Sequence, residues 1–354
     1  MPHSEATPER GSDGRGVAFP HRTIWSRRAA LGGLGGLMTA LAIPVPGRAS
    51  EPAKTGLILL GTGGGPVIGA QRSMMASVVV ANGVPYLVDC GYGAGGAMVK
   101  AGVRIADLGG IFITHNHADH LLDLGPTLFF SWLQGRKAEL ELFGPPPLKA
   151  IVDDLLAANR VPLDYYRVDM GTALMPPVRV KEFSDAGIVF EDANVRVTAV
   201  TVVHPPVVPS FAYRFDTADR SIVFSGDTAV SENLVVLAKG ADILVHEAAE
   251  VQATIDMMSA QASVAAPASA DAGNGKGGQN PKGFDPKKFE EHVLKAHTSV
   301  QDAARLAAAA DVKTLVLSHV SPVSSAMVPD SRWIEDARPF FGGTIVVGHD
   351  GLVM

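Results

Sequence analysis

Residues 115–120, HNHADH, place three histidines and an aspartate within six positions. Imidazole and carboxylate groups at that density hold divalent cations when further donors meet them in space, and form a solvated polar turn when none do. The preceding run GGIFITH is apolar and reads as a strand ending at His115. His115 and His117 are two apart on extended backbone, so they point to the same side. Asp119 and His120 follow as the chain turns toward the helical stretch LLDLGPTLFFSW. Such a turn presents two pairs of ligands to two neighbouring positions.

Further donors stand at the ends of other apolar runs. His204 closes VRVTAVTVVH, Asp227 closes SIVFSGD and His319 closes TLVLSH, for a total of five histidines and two aspartates. That number serves two ions with positions left for water. The single cysteine, Cys90, excludes a disulfide framework and a thiolate metal site, and reads as a small core residue.

The elements that must position these groups follow from periodicity. LILLGTGGGP and ASVVVANGVPYLVDCG read as strands, the latter pair around an Asn-Gly turn. Strand-like runs such as ELELF, FAYRF, ILVHE and GTIVVG then alternate with helical stretches such as LKAIVDDLLAANR and TSVQDAARLAAAA. This pattern predicts an α/β fold of two sheets covered by helices on their outer faces, in one domain over 51–354. Residues 259–283 are small and polar, so the reading there is a flexible surface insertion. After it, FDPKKFEEHVLKAHTS predicts a short helix delivering His297.

HNHADH followed by His204, Asp227 and His319 resembles the HxHxDH pattern of the metallo-β-lactamase superfamily, which implies a four-layer αββα sandwich. GTGGGP, SGDT at 225–228, HE at 246–247 and HTS at 297–299 resemble its ribonuclease Z-like branch. Within that branch, GRKAELELFGPPP and PSFAYRF look most like bacterial arylsulfatase-type enzymes. The resemblance implies one zinc held by His115, His117 and His204, a second by Asp119, His120 and His319, and Asp227 bridging them. Donors of this kind also accept manganese or iron. A histidine at 117, rather than the glutamate of the flavodiiron branch, favours hydrolysis over electron transfer. The expected catalytic groups are Asp119 at the metals, His297 helping the leaving group and Glu247 orienting His297. The implied reaction is attack by a hydroxide that bridges the two metals.

Other residues carry weaker expectations. Asp89 reads either as a hydrogen-bond partner of a ligand histidine or as a turn cap at a strand end. His246 reads as buried and hydrogen-bonded rather than ligating. The glycines of GTGGGP lack a following GK[ST], so they read as a tight turn near the cleft rather than a phosphate cradle. Phe129, Phe130 and Trp132 are core by default, with a role in lining an apolar substrate pocket as the alternative. His292 and His349 read as surface residues.

Composition sets the outer bounds. At 354 residues, with 47% hydrophobic and 19% charged, the chain suits a globular protein rather than a disordered or multi-span one. Paired Arg27 and Arg28 precede a short glycine-rich apolar run, so residues 1–50 read as a twin-arginine-type export signal. That predicts a periplasmic or secreted protein with no stable membrane insertion once the signal is cleaved. The segment holds six of the 30 Lys and Arg and three of the 36 acidic residues, leaving 24 against 33, a net charge of −9. An acidic balance argues against a nucleic-acid substrate, since polyanion binding leans on Lys and Arg.

The expected function is therefore hydrolysis of a small-molecule ester, first an aryl sulfate or related sulfate or phosphate ester. A lactonase or carboxylic-ester hydrolase is the alternative, followed by a phosphodiesterase or ribonuclease Z-type nuclease, a β-lactamase and a non-catalytic metal-binding module. The short 148–190 region, with no room for a long basic arm, also counts against a transfer-RNA nuclease. A homodimer is left open.

Overall fold

The computed structural model describes residues 54–69, 71–171, 173–264 and 285–354, all within the unit Ser50–Met354. The expected export signal and most of the expected insertion lie outside the described residues. The first sheet comprises β1 (Gly56–Gly61), β2 (Ala76–Ala81), β3 (Val84–Val88), β4 (Gly110–Phe112), β5 (Leu140–Gly144) and β6 (Val178–Glu182), adjacent in that order. The second comprises β7 (Gly187–Glu191), β8 (Arg196–Val202), β9 (Ser210–Asp216), β10 (Ser221–Phe224), β11 (Ile243–Ala249), β12 (Thr314–Ser321) and β13 (Thr344–Val347), again in sequence order.

Each sheet begins with antiparallel hairpins and continues with parallel strands. Pairing is parallel from β3 to β6 and from β10 to β13. Parallel strands need crossovers, and the helices supply them. These are α1 (Ala94–Lys100), α2 (Leu124–Leu133), α3 (Leu148–Ala158), α4 (Arg160–Asp169), α5 (Glu232–Ala238), α6 (Val251–Val264), α7 (Pro286–Ala296), α8 (Val300–Ala309) and α9 (Asp330–Ala337). Residues 259–264, at the start of the expected loop, thus belong to α6. The predicted short helix before His297 is α7.

Three apolar clusters explain the layering. LILL in β1 is buried on both faces, which is why it reads as a continuous apolar run rather than an alternation. Leu57 and Leu59 join Phe112, Phe143, Phe211 and Phe215 in a core between the sheets. Ile58 and Leu60 face the opposite way, toward Met98 of α1, Leu124 and Leu128 of α2 and Val152 of α3. The outer face of the second sheet packs Val223, Leu244 and Leu315 under α5, α8 and α9, with Trp333 among them. The result is the expected αββα sandwich. The chain end closes the β1 edge, where Leu57 N–H donates to Met354 O at 2.9 Å and Leu59 N–H to Leu352 O at 3.0 Å.

Phe112 sits at the centre of the inter-sheet core, stacked on Phe143 at 4.9 Å and edge-on to Phe215 at 5.1 Å. Phe112→Ala is expected to lower unfolding stability by about 3–5 kcal/mol, because the cavity it leaves lies between two rigid sheets. Urea unfolding followed by circular dichroism measures this, and a loss under about 1 kcal/mol would contradict a central packing role.

Candidate metal centre

Strand ends at one edge of the sandwich deliver the donors. The chain leaves β4 at Phe112 and reaches His115 two residues past Ile113, while His204 follows β8 and Asp227 follows β10. His319 arrives differently. Glu247 pairs with Ser318 and Ala248 with Val320, so His319 is an extra residue in β12, and its φ is 45°. A bulge of this kind re-aims one side chain, and a left-handed backbone at a non-glycine residue marks a local cost borne for position.

The side chains converge into two overlapping groups. His115, His117, His204 and Asp227 form one, Asp119, His120, Asp227 and His319 the other, and in each the ligand atoms lie within 4.8 Å of one another. His117 Nδ1 lies 3.0 Å from His115 Nε2 and 3.1 Å from His204 Nε2. In the second group, Asp119 Oδ2 is 3.3 Å from His319 Nε2 and 3.5 Å from His120 Nε2. Asp227 belongs to both, with Oδ1 3.4 Å from His120 Nε2 and Oδ2 3.1 Å from His319 Nε2 and 3.8 Å from His115 Nε2.

Hydrogen bonds behind the site decide which nitrogens face inward. His204 Nδ1–H donates to the Ala296 carbonyl at 2.8 Å, and His120 Nδ1–H donates to Asp89 Oδ2 at 2.8 Å. Asp89 also accepts from Thr114 N–H at 2.8 Å and from the Thr114 hydroxyl, which leaves Thr114 Oγ1 to accept His115 Nδ1–H at 3.1 Å. The Nε2 atoms of His115, His120 and His204 are therefore bare lone pairs aimed at their neighbours. Among the described residues, His120 Nε2 and Asp227 Oδ1 are buried with no hydrogen-bond partner. Imidazole lone pairs about 3 Å apart repel unless a cation lies between them, so this donor set fits a dinuclear metal site.

Electrostatics agree with that assignment. Burial holds His115 below the ordinary imidazole range and brings His204 down to about 4. Burial also works against a proton on His319, yet Asp227 and Asp119 raise it to about 9. Asp119 stays ionised against its own burial because His120 and His319 face it. One half of the site thus favours neutral imidazole and the other half favours positive charge.

Beside the ligands, His297 caps the C-terminus of α7, and its Nδ1 lies 2.8 Å from Glu247 Oε2. Burial pushes His297 down to about 4 and Glu247 well up, so the two share one proton along that contact. Glu247, His297 and His319 also fall within 4.8 Å of one another, but Glu247 and His297 already satisfy each other and are better read as a pair than as a third metal position. Thr228 N–H donates to the other Glu247 oxygen at 2.5 Å and fixes the carboxyl.

GTGGGP forms a wall of the site. Gly65 N–H donates to Asp119 Oδ2 at 2.9 Å, and a Cβ on Gly65 would fall 2.2 Å from that same oxygen. Gly65→Ala is therefore expected to displace Asp119 and weaken one of the two cations by about 10–100-fold, the scale of losing a partner of a metal ligand. Competition with a chelating dye reads this directly, and two unchanged affinities would show that Asp119 tolerates the shift.

The expected ligands His115, His117, Asp119, His120, His204, Asp227 and His319 all meet, and Asp89 bonds a ligand histidine as one of its two readings held. His246 is fully buried and its Nδ1–H donates to the Glu247 carbonyl at 2.7 Å. His349 is exposed and pairs with Asp330 at 2.6 Å. The aromatic trio after the metal motif does not line the cleft. Phe129 packs 5.6 Å from Tyr166 of α4, and Trp132 Nε1–H donates to Ala173 O at 3.2 Å. The cleft, of about 330 Å³, is bounded instead by Gly65, Pro66, Ala249, Thr254, Phe289 and Val293 around the ligands. His292, expected at the surface, also lines it, its ring centroid 5.6 Å from that of His297. The signal for these was the spacing of FEEHV on an amphipathic helix leading into His297, which places Phe289, His292 and Val293 on one face.

Comparison with known proteins supports this picture. Residues 85–320 match the family model of the beta-lactamase superfamily domain. The chain is 31% identical over 300 residues to ribonuclease Z of Mycobacterium marinum, covering 83% of this chain and 96% of the relative. It is 32% identical over 297 residues to ribonuclease Z of Mycobacterium sp. strain KMS, covering 82% and 93%. In fold it resembles the metallo-β-lactamase fold protein YhfI of Bacillus subtilis (TM-score 0.58, 16% identity, 85% of this chain and 100% of that one). The short form of human tRNase Z is similar to the same degree (TM-score 0.58, 23% identity, 84% and 98%).

These relatives overturn two expectations, the small-molecule ester (aryl sulfate first) as substrate and the absence of a nucleic-acid partner. The physical reasons lie in what those expectations rested on. GRKAELELFGPPP and PSFAYRF are β5 and β9 with their flanks, and their Phe143, Phe211 and Tyr213 pack between the sheets, so they report the fold and not the substrate. Net charge sums over the whole surface, whereas cations held by this His and Asp donor set would provide positive charge locally, at the site itself. The ligand order, the two-sheet architecture and the near-complete overlap with the mycobacterial enzymes agree on one placement. The chain belongs to the metallo-β-lactamase superfamily, in its ribonuclease Z-like branch.

Proposed function

We propose that this protein is a metal-dependent ribonuclease of the ribonuclease Z type that hydrolyses a phosphodiester in RNA. The observation that carries the reading is the 31% identity to a ribonuclease Z across 96% of that enzyme's length. The complete double ligand set supports it. Zinc is the proposed metal, because imidazole and carboxylate donors without thiolate suit it, with manganese or iron as substitutes. Two bound cations supply Lewis acidity and a water acidic enough to act as nucleophile near neutral pH.

The chain's own groups do the rest. His115, His117 and His204 would hold one cation, Asp119, His120 and His319 the other, and Asp227 both. Asp89 and the Ala296 carbonyl lock the tautomers of His120 and His204, so that each would turn Nε2 toward the cations. His297 lines the cleft, and its contact with Glu247 leaves Nε2 free to serve the departing oxygen. The export signal at 1–50 is part of this proposal and places the enzyme's RNA outside the cytoplasm.

The test is cleavage of a precursor transfer RNA with a 3′ trailer and of an unstructured RNA of equal length, with product ends mapped. Metal-loaded protein should cleave at least one of them, and His115→Ala neither. Turnover of aryl sulfates with both RNAs left intact would sink the proposal. Fusion of residues 1–50 to a reporter that requires the twin-arginine route tests export, and a reporter retained in the cytoplasm would remove that part.

A further inference from the structure

One wall of the cleft differs in chemistry from the ligand cluster. Phe289, His292 and Val293 occupy one face of α7, spaced i, i+3 and i+4, while Lys287, Lys288, Glu290, Glu291 and Lys295 are exposed on its other positions. Val293 is buried and Phe289 and His292 are half-buried. The same cleft that holds His117, Asp119, Asp227 and His319 is bounded by this face, and among the described residues neither a lysine nor an arginine lines it. The next turn of that helix carries Ala296, whose carbonyl accepts from the ligand His204. This wall is thus tied to the metal site by a hydrogen bond at 2.8 Å.

A phosphodiester held at the ligands must send at least one of its two substituents into the space beside them. With no cationic side chain on the wall among the described residues, a further phosphate is poorly served there, whereas a flat ring with apolar faces and polar edges suits an aromatic side chain beside an imidazole. The volume of about 330 Å³ is near the lower end of small-ligand pockets, roughly 300–1,000 Å³, and accommodates one nucleotide-sized group rather than a run of chain. We propose that the Phe289–His292–Val293 face of α7 is a nucleobase subsite, taking the base of a nucleotide that flanks the scissile phosphate. Phe289 and Val293 contact the ring face, and His292 meets its polar edge. The subsite rests on the ribonuclease reading above.

The experiment compares the metal-loaded full chain on an RNA it cleaves with the same RNA lacking the base immediately 5′ or 3′ of the scissile phosphate. Removing the base on one side should lower kcat/KM about 10-fold in the wild type, the scale of one base–aromatic stack. Phe289→Ala should lower kcat/KM on the intact RNA by a similar factor and become indifferent to base removal, with metal content unchanged. Phe289→Leu, which keeps apolar packing, should fall between, so a folding defect in the alanine variant is distinguished from loss of stacking. Equal wild-type rates on intact and abasic RNA, or a Phe289→Ala variant as sensitive to base removal as the wild type, would overturn the subsite and leave the ribonuclease reading standing. Absence of cleavage of any RNA would remove that reading and the subsite with it.

Discussion

Asp227→Ala is expected to cut the metal content of the protein from two cations per chain to one or fewer and to lower RNA hydrolysis by about 10³-fold or more. Its carboxylate is the one group shared by both donor clusters, with Oδ1 near His120 and Oδ2 near His319, His115 and His204. Removing it takes a negative donor from both positions at once, leaving only His115, His117 and His204 at one and Asp119 with two imidazoles at the other. Charge stabilisation by a metal pair is worth several kcal/mol, which corresponds to about three decades of rate. Elemental analysis after dialysis gives the stoichiometry, and circular dichroism checks that the fold persists. Retention of two cations with near wild-type turnover would show that Asp227 does not bridge.

His297→Ala carries the second large effect. It is expected to slow RNA cleavage by about 10²–10⁴-fold, the usual weight of a positioned acid or base. An activated bis(nitrophenyl) phosphate should lose far less, because nitrophenolate departs without a proton. Metal content should not change, since His297 bonds Glu247 rather than sitting within either four-residue ligand group. Equal losses on both substrates would assign His297 to binding or structure instead. Glu247 acts through His297, so Glu247→Gln, which keeps a hydrogen-bonding group at 2.8 Å from Nδ1, is expected to cost less than loss of the imidazole.

Much of this site was legible before any folding. Metal ligands are restricted to a few residue types, and a strand end is one of the few places where a polar side chain follows an apolar run. His204, Asp227 and His319 therefore stood out singly, and HNHADH as a group. The αββα layering was legible for a similar reason. Strands buried on both faces, such as LILL and SIVF, alternate with stretches of helical period, and that pattern admits two sheets with outer helices. Substrate was not legible, because the water-activating ligands are common to the superfamily, and the segments that seemed to speak of substrate were core strands.

The chain by itself determined the donor set, its order and the two-sheet frame, since these depend on local residue type and periodicity. Only the tertiary structure decided how the donors are aimed. The bulge that turns His319 inward, Asp89 holding both Thr114 and His120, Gly65 leaving room for Asp119, and α7 setting the Ala296 carbonyl against His204 are contacts between residues distant in sequence. Such contacts arise from packing two sheets and their helices together, and no local period encodes them.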